Sequence, residues 1–174
     1  LELCLVEKFK YNYVMTYSSG RAGLYNILKA HDIVNKKILI TSYTCSVVSE
    51  AIVQSGNKNE FIDIPKNSYN IDFLEGKINE IGDEVGAIIV TSLYGLPNII
   101  NYQSINKNKR KFLIIADNAL SPSDIPNLPK NIVDYVFTSC AARKPLTGLG
   151  GGIVFTNNYE NYKRLKNMLK VYMK

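Results

Sequence analysis

Val133-Asp134-Tyr135-Val136-Phe137-Thr138-Ser139-Cys140-Ala141-Ala142-Arg143-Lys144-Pro145-Leu146-Thr147-Gly148-Leu149-Gly150-Gly151-Gly152-Ile153-Val154-Phe155 decides how this chain is read. An apolar, β-rich run ends at Ser139, Lys144 follows five residues later, and a glycine-rich turn leads into a second apolar run. This pattern reads as two buried strands joined by a loop. The loop carries one amine beside hydroxyls and bare backbone N–H groups. Such an amine can form a Schiff base with an aldehyde cofactor, and the hydroxyls and amides can hold a phosphate. Taken alone, the stretch also fits a glycine-rich loop with a surface lysine.

Outward from this stretch, strand and helix patterns alternate. Residues 19–31 read as a helix with Leu24, Ile27 and Leu28 on one stripe. Lys37-Ile38-Leu39-Ile40-Thr41 is a strand, 46–55 a helix ending at Gly56, and Glu60-Phe61-Ile62-Asp63-Ile64 a strand closed by Pro65. Residues 72–81 read as a helix. Residues 85–92 and 112–116 are continuous apolar runs of strand length, the signature of parallel strands covered on both faces. Strands at 135–139 and 153–156 complete the set, followed by an amphipathic tail helix with Leu165, Met168, Leu169 and Tyr172 near helical spacing. The alternation predicts a three-layer α/β/α fold with a mostly parallel central sheet. Ligands bind such sheets at the carboxyl ends of the strands. Ser42-Tyr43, Ser92-Leu93-Tyr94-Gly95, Asp117-Asn118 and the segment from Ser139 to Lys144 all lie just beyond predicted strands.

Two of these positions carry further chemistry. Asp117 ends the apolar run Phe112-Leu113-Ile114-Ile115-Ala116, where a carboxylate needs a partner to offset its desolvation. It either caps the following turn or pairs with a protonated pyridine nitrogen. Tyr17-Ser18-Ser19-Gly20-Arg21-Ala22 is a small-residue turn opening onto a helix, whose first N–H groups are free to take a phosphate or are simply capped by a serine.

Composition excludes several classes. With 174 residues, 46% hydrophobic and 21% charged, the chain has the make-up of one soluble globular domain. No run of about eighteen apolar residues occurs, so no membrane span is expected. Glu2, Glu7 and Lys8 interrupt the N-terminal apolar residues, which lack a signal-peptide layout. Cys4, Cys45 and Cys140 are widely separated and form no CxxC pair, consistent with reduced thiols in a cytoplasmic protein. The single histidine, His31, sits in a helix-to-strand connection and argues against histidine-based metal or triad chemistry. The net charge of +6 comes largely from Lys107, Lys109, Arg110 and Lys111 and from the tail. The first group reads as a solvated stretch before a buried strand and the second as the solvent face of a helix, so nucleic-acid binding is not expected.

Together these segments give a specific likeness. Ser19-Gly20-Arg21-Ala22-Gly23-Leu24, Thr41-Ser42-Tyr43-Thr44-Cys45, Phe61-Ile62-Asp63-Ile64, Leu93-Tyr94-Gly95-Leu96-Pro97, Ile115-Ala116-Asp117-Asn118-Ala119 and Ser139 through Lys144-Pro145-Leu146 with Gly150-Gly151-Gly152 follow one another at characteristic spacings. The chain resembles the DegT/DnrJ/EryC1/StrS family of fold-type-I, pyridoxal-phosphate-dependent sugar aminotransferases. The resemblance implies that Lys144 forms the internal aldimine with pyridoxal 5'-phosphate and, once released, moves the proton. It implies that Asp117 binds the pyridine nitrogen. Ser139 and the backbone at Ser19, Gly20 and Arg21 would hold the phosphate, and the turn through Tyr43 and Cys45 would lie against the ring. It further implies a nucleotide-linked keto-sugar as substrate, an amino-acid donor such as glutamate, a pyridoxamine phosphate form during turnover, and a homodimer.

The chain also departs from the family. Many members carry an aromatic residue where Cys45 stands, and His or Gln where Leu120 stands. Arg143 either lowers the pKa of Lys144 by repulsion or faces solvent. Members are longer, so residues 1–174 read as a single large cofactor-binding domain without the smaller C-terminal one. A truncated or degenerate, non-catalytic relative, serving as a partner subunit or cofactor-binding module, is the alternative reading. An unrelated α/β binding domain is the remaining one.

Overall fold

The computed structural model describes residues 1–67, 69, 81–96, 98, 105 and 110–172. The chain begins with α1 (Glu2–Phe9), β1 (Tyr13–Tyr17), α2 (Gly20–Ala30), β2 (Lys37–Thr41), α3 (Ser46–Gln54) and β3 (Lys58–Ile62). It continues with β4 (Val85–Thr91), β5 (Leu113–Asp117), a 3-10 turn at Pro122–Asn127, β6 (Tyr135–Ser139), β7 (Gly152–Thr156) and α4 (Tyr159–Tyr172). The helix expected over 72–81 lies, all but its last residue, outside the described residues.

The described strands form one sheet in the order β1-β7-β6-β5-β4-β2-β3. β7 runs antiparallel to both of its neighbours, and the remaining pairs are parallel. Parallel strands need crossover connections that cover the sheet, and this explains why every residue of β4 is buried. Successive β4 side chains alternate between two cores. Ile88 and Val90 join Phe9, Ile125 and Phe155 on one face, whereas Ala87 and Ile89 join Leu24, Ile27 and Ile52 on the other. α2 and α3 therefore cover the second face, and Leu165 of α4 packs there too. Met168 and Leu169 lie against that core as the tail pattern predicts. None of the helices among the described residues is long and apolar enough to cross a membrane.

One expectation is corrected at the amino edge of the sheet. Arg110 belongs to no solvated stretch, since its side chain is only 6% exposed and forks onto Asp134 at 2.6 and 3.0 Å. The guanidinium also donates to the carbonyls of Phe112 and Ile132, and Asp134 accepts from the Ile114 N–H at 2.8 Å. The pair thereby ties the entrances of β5 and β6 together. A planar fork with several donors can satisfy a carboxylate and two carbonyls at once, so both terminal nitrogens of the ion are partnered despite burial. Lys111 next to it is exposed and meets Asp83 at 2.9 Å. Arg110→Met should strand a buried carboxylate and lower stability by about 3–5 kcal/mol, read as a drop in the urea midpoint. Lys111→Met should change it by less than about 1 kcal/mol.

Candidate active site

Because β1, β2, β4, β5 and β6 point the same way, their carboxyl ends share one edge of the sheet. β7 starts at that edge, so the 140–151 loop turns above it. The loop is held by its own backbone. The Lys144 N–H donates to the Ala141 carbonyl, Gly148 to Cys140, and Cys140 to Gly151, each at 2.9 Å.

Close approach of two segments forms the floor. β1 runs directly into α2, and Ser19 bridges to Gly151. A Cβ on Gly20 would stand 3.2 Å from the Ser139 Cβ, so the start of α2 is packed against the end of β6. Ser19 caps α2 by accepting from the Ala22 N–H at 3.2 Å. The N–H groups of Gly20 and Arg21 lie in the first helical turn, where the helix offers no acceptor, and Ser139 faces them. The result is an anion cradle made of backbone donors and a hydroxyl.

A cavity of about 430 Å³ opens over this cradle. Ser19, Gly20, Arg21, Cys45, Asp117, Ser139 and Lys144 line it together. Tyr43 does not. It stands in a neighbouring space, its hydroxyl 2.7 Å from that of Tyr94. Arg143 is exposed beside the half-buried Lys144. Arg21 reaches Glu50 of α3 at 3.3 Å across the surface. Sequence reasoning missed the apolar wall, which Val47, Val48 and Phe137 supply. The valines follow Cys45 and Ser46 in sequence, and their place at the opening of α3 is the signal that locates them.

Asp117 is the electrostatic centre of the cavity. It is 5% exposed, and its Oδ1 accepts from the Ala119 N–H at 3.0 Å. Burial raises its pKa from 3.8 to about 6, against the opposing pull of that N–H and of the Lys144 charge. Buried polar groups fix the turn behind it. Asn118 donates through its backbone to Phe137 and through Nδ2 to Ser121, while Thr138 donates to the Asn118 carbonyl at 3.1 Å. Since the folded pKa lies above the usual value, ionising Asp117 opposes folding as pH rises from 4 through 6. Asp117→Asn should therefore stabilise the cofactor-free protein by about 3 kcal/mol at pH 8 and by almost nothing at pH 4. Urea unfolding at the two pH values measures the difference, and an equal effect at both would contradict the assignment.

A family model for the DegT/DnrJ/EryC1/StrS aminotransferases matches residues 1–174. The chain belongs to that family. Among curated relatives, the UDP-4-amino-4,6-dideoxy-N-acetyl-β-L-altrosamine transaminase of Campylobacter jejuni serotype O:23/36 is 29% identical over 171 residues. The match covers 95% of this chain and 45% of the relative. The chain thus spans less than half the length of that enzyme. Among solved structures, NtdA from Bacillus subtilis with bound cofactor PMP has the same fold, with a TM-score of 0.81 and 24% identity over 94% of this chain and 38% of that one. A DegT/DnrJ/EryC1/StrS aminotransferase from Brucella abortus gives a TM-score of 0.76 at 26% identity, over 95% of this chain and 47% of that one. The family membership and these folds agree with the three-layer α/β architecture and its mostly parallel sheet.

Proposed function

We propose that this chain is the large, cofactor-binding domain of a pyridoxal-phosphate-dependent aminotransferase that transfers an amino group from an amino acid, glutamate by the family resemblance, to a nucleotide-linked keto-sugar. The observation that carries the reading is the convergence of one amine, one buried carboxylate and one anion cradle on a single cavity. Pyridoxal phosphate, when bound, supplies an aldehyde that condenses with amines and a ring that takes up the electron pair left by a broken C–H bond. The chain's residues fit that group. The N–H groups at the start of α2 and the Ser139 hydroxyl suit its phosphate. Asp117, whose carboxylate is disfavoured by burial, gains a cationic partner in a protonated pyridine nitrogen. Lys144 Nζ is the attachment point and, once released, the group that holds and moves the proton. Val47 and Val48 exclude water from one side.

A homodimer is part of the same proposal, supported by apolar side chains left open on α1 and the glycine loop, where Leu3 and Leu149 are 81% and 88% exposed. Three free thiols, two of them exposed, support the cytoplasm as the compartment. The test is addition of pyridoxal phosphate, reduction with borohydride, and peptide mapping. The expected result is a label on the Lys144 peptide. A second reading, a non-catalytic relative acting as a partner subunit or cofactor-binding module, is favoured by Leu120, which sets an apolar side chain in the space beside Lys144. Turnover with an amino donor separates the two.

A further inference from the structure

Three tyrosines from separate segments meet beside the Lys144 cavity. Tyr43 follows β2, Tyr69 lies beyond β3, and Tyr94 follows β4. Their ring centroids are 6.4 Å apart for Tyr43 and Tyr69, 6.3 Å for Tyr43 and Tyr94, and 5.2 Å for Tyr69 and Tyr94. The last pair meets edge to face, and the hydroxyls of Tyr43 and Tyr94 share a hydrogen bond. All three rings are nevertheless exposed to solvent by about half. A contiguous aromatic patch facing water at the rim of a cavity marks a place where something binds.

Tyr94 is also held in a costly backbone conformation. Its φ is 55°, and Gly95 after it has φ 75°. Only the second position suits its residue, since a bulky side chain is disfavoured in the left-handed region. Strain of this kind collects at functional sites. Tyr94 borders two adjoining spaces. One, of about 380 Å³, is shared with Tyr43, Cys45, Leu120 and Lys144. The other, of about 540 Å³, is walled by Leu120, Pro122 and Pro145.

Building on the aminotransferase reading above, we infer that the Tyr43–Tyr69–Tyr94 cluster is the platform for the sugar ring of the acceptor substrate. The argument is one of reach. The tyrosines and Lys144 border the same space, so whatever lies on the rings lies beside the amine. In a nucleotide-linked keto-sugar, the carbon that receives nitrogen belongs to the sugar, and a diphosphate separates it from the base. The sugar therefore occupies the platform, and the base lies farther out. The chemistry agrees. A pyranose presents a face of C–H bonds that packs flat on aromatic rings, while its edge hydroxyls meet the tyrosine O–H groups. The space walled by Leu120, Pro122 and Pro145 receives an apolar ring substituent, such as a methyl group.

The test is calorimetric titration of the chain, loaded with pyridoxal phosphate, with UDP-N-acetylglucosamine and separately with UDP. The first probe carries a sugar ring but no ketone, so binding is read without turnover. The cofactor's visible absorbance band is recorded before any nucleotide is added. Tyr94→Gly removes the ring and relieves the positive φ, so loss of binding cannot be laid to unfolding. It should weaken UDP-N-acetylglucosamine by about tenfold, with UDP held within about twofold and the band unchanged. Tyr94→Phe keeps the ring and should retain most of the affinity. Equal sugar binding by wild type and Tyr94→Gly would overturn the platform, as would wild-type affinity no greater for the sugar than for UDP. A parallel loss of UDP would also overturn it and place the base on the rings. Absence of the band in the wild type would instead remove the aminotransferase reading, and the platform with it.

Discussion

Lys144→Met is expected to abolish reductive labelling by pyridoxal phosphate and borohydride, and to lower transamination by at least about a thousandfold. Arg21 is the other cationic residue on the cavity lining, and a guanidinium can neither condense with an aldehyde nor exchange protons near neutral pH. The fold should tolerate the change, because Lys144 supports its loop through a backbone N–H that methionine also has. An independent readout comes from Asp117, whose pKa the Lys144 charge helps to hold down. In the methionine variant that carboxyl should titrate above the wild-type value of about 6 in carbon-detected NMR of the cofactor-free protein. Labelling that persists in the variant would move the reactive amine elsewhere.

The second large effect is expected from Gly152→Ala, where the added atom is a single methyl group. A Cβ at Gly152 would stand 2.3 Å from the Ser19 carbonyl carbon, 2.4 Å from the Gly20 nitrogen and 2.4 Å from the Ser19 oxygen. These are backbone atoms, so no rotamer change makes room. The β1–α2 corner has to lift away from β7, loosening the pairing of Tyr17 with Gly152 and drawing the first turn of α2 off Ser139. Overpacking of this kind should cost about 3 kcal/mol or more in urea unfolding. Whatever remains folded should bind pyridoxal phosphate more weakly, because the anion donors have moved. Gly150→Ala is the matched control. None of the described residues lies within 4 Å of its added Cβ, and stability should stay close to wild type. Similar losses for the two variants would show that the effect is loop flexibility and not the close approach.

The parts of the molecule that were legible in the sequence are those with strong local patterns. β4, β5 and β6 are buried on both faces and read as apolar runs, so their ends fell within a residue of expectation. The cavity residues at 19–21, 117 and 139 were legible because each lies at a strand end or helix start of characteristic composition, and Lys144 because it lies in the glycine-rich loop between two apolar runs. α1 and β1 carried no such signal. β1 alternates weakly as Tyr-Val-Met-Thr-Tyr at a sheet edge, and it becomes a strand by pairing with β7, some 140 residues away. Arg110 was misplaced for a related reason. Its partner Asp134 lies 24 residues on, and nothing local distinguishes a buried guanidinium from the lysines around it. Tyr43, Tyr69 and Tyr94 meet only in three dimensions, and their convergence has no trace in local spacing.

The pairing of β1 with β7 has a consequence for the order in which the chain can be assembled. Among the described strands β1 occupies the edge of the sheet with β7 as its sole neighbour, so a nascent chain must hold β1 in waiting until residue 156 has been synthesised. β6 and β7, adjacent in both sequence and sheet, form the lysine loop as soon as they emerge. Ser19 and Gly20 of the anion cradle lie far upstream of Ser139 and Lys144, so the cavity cannot close until both parts of the chain have been made. Ribosome-bound chains halted before β7 should therefore contain a formed β2–β4 centre but no cavity able to take a phosphate.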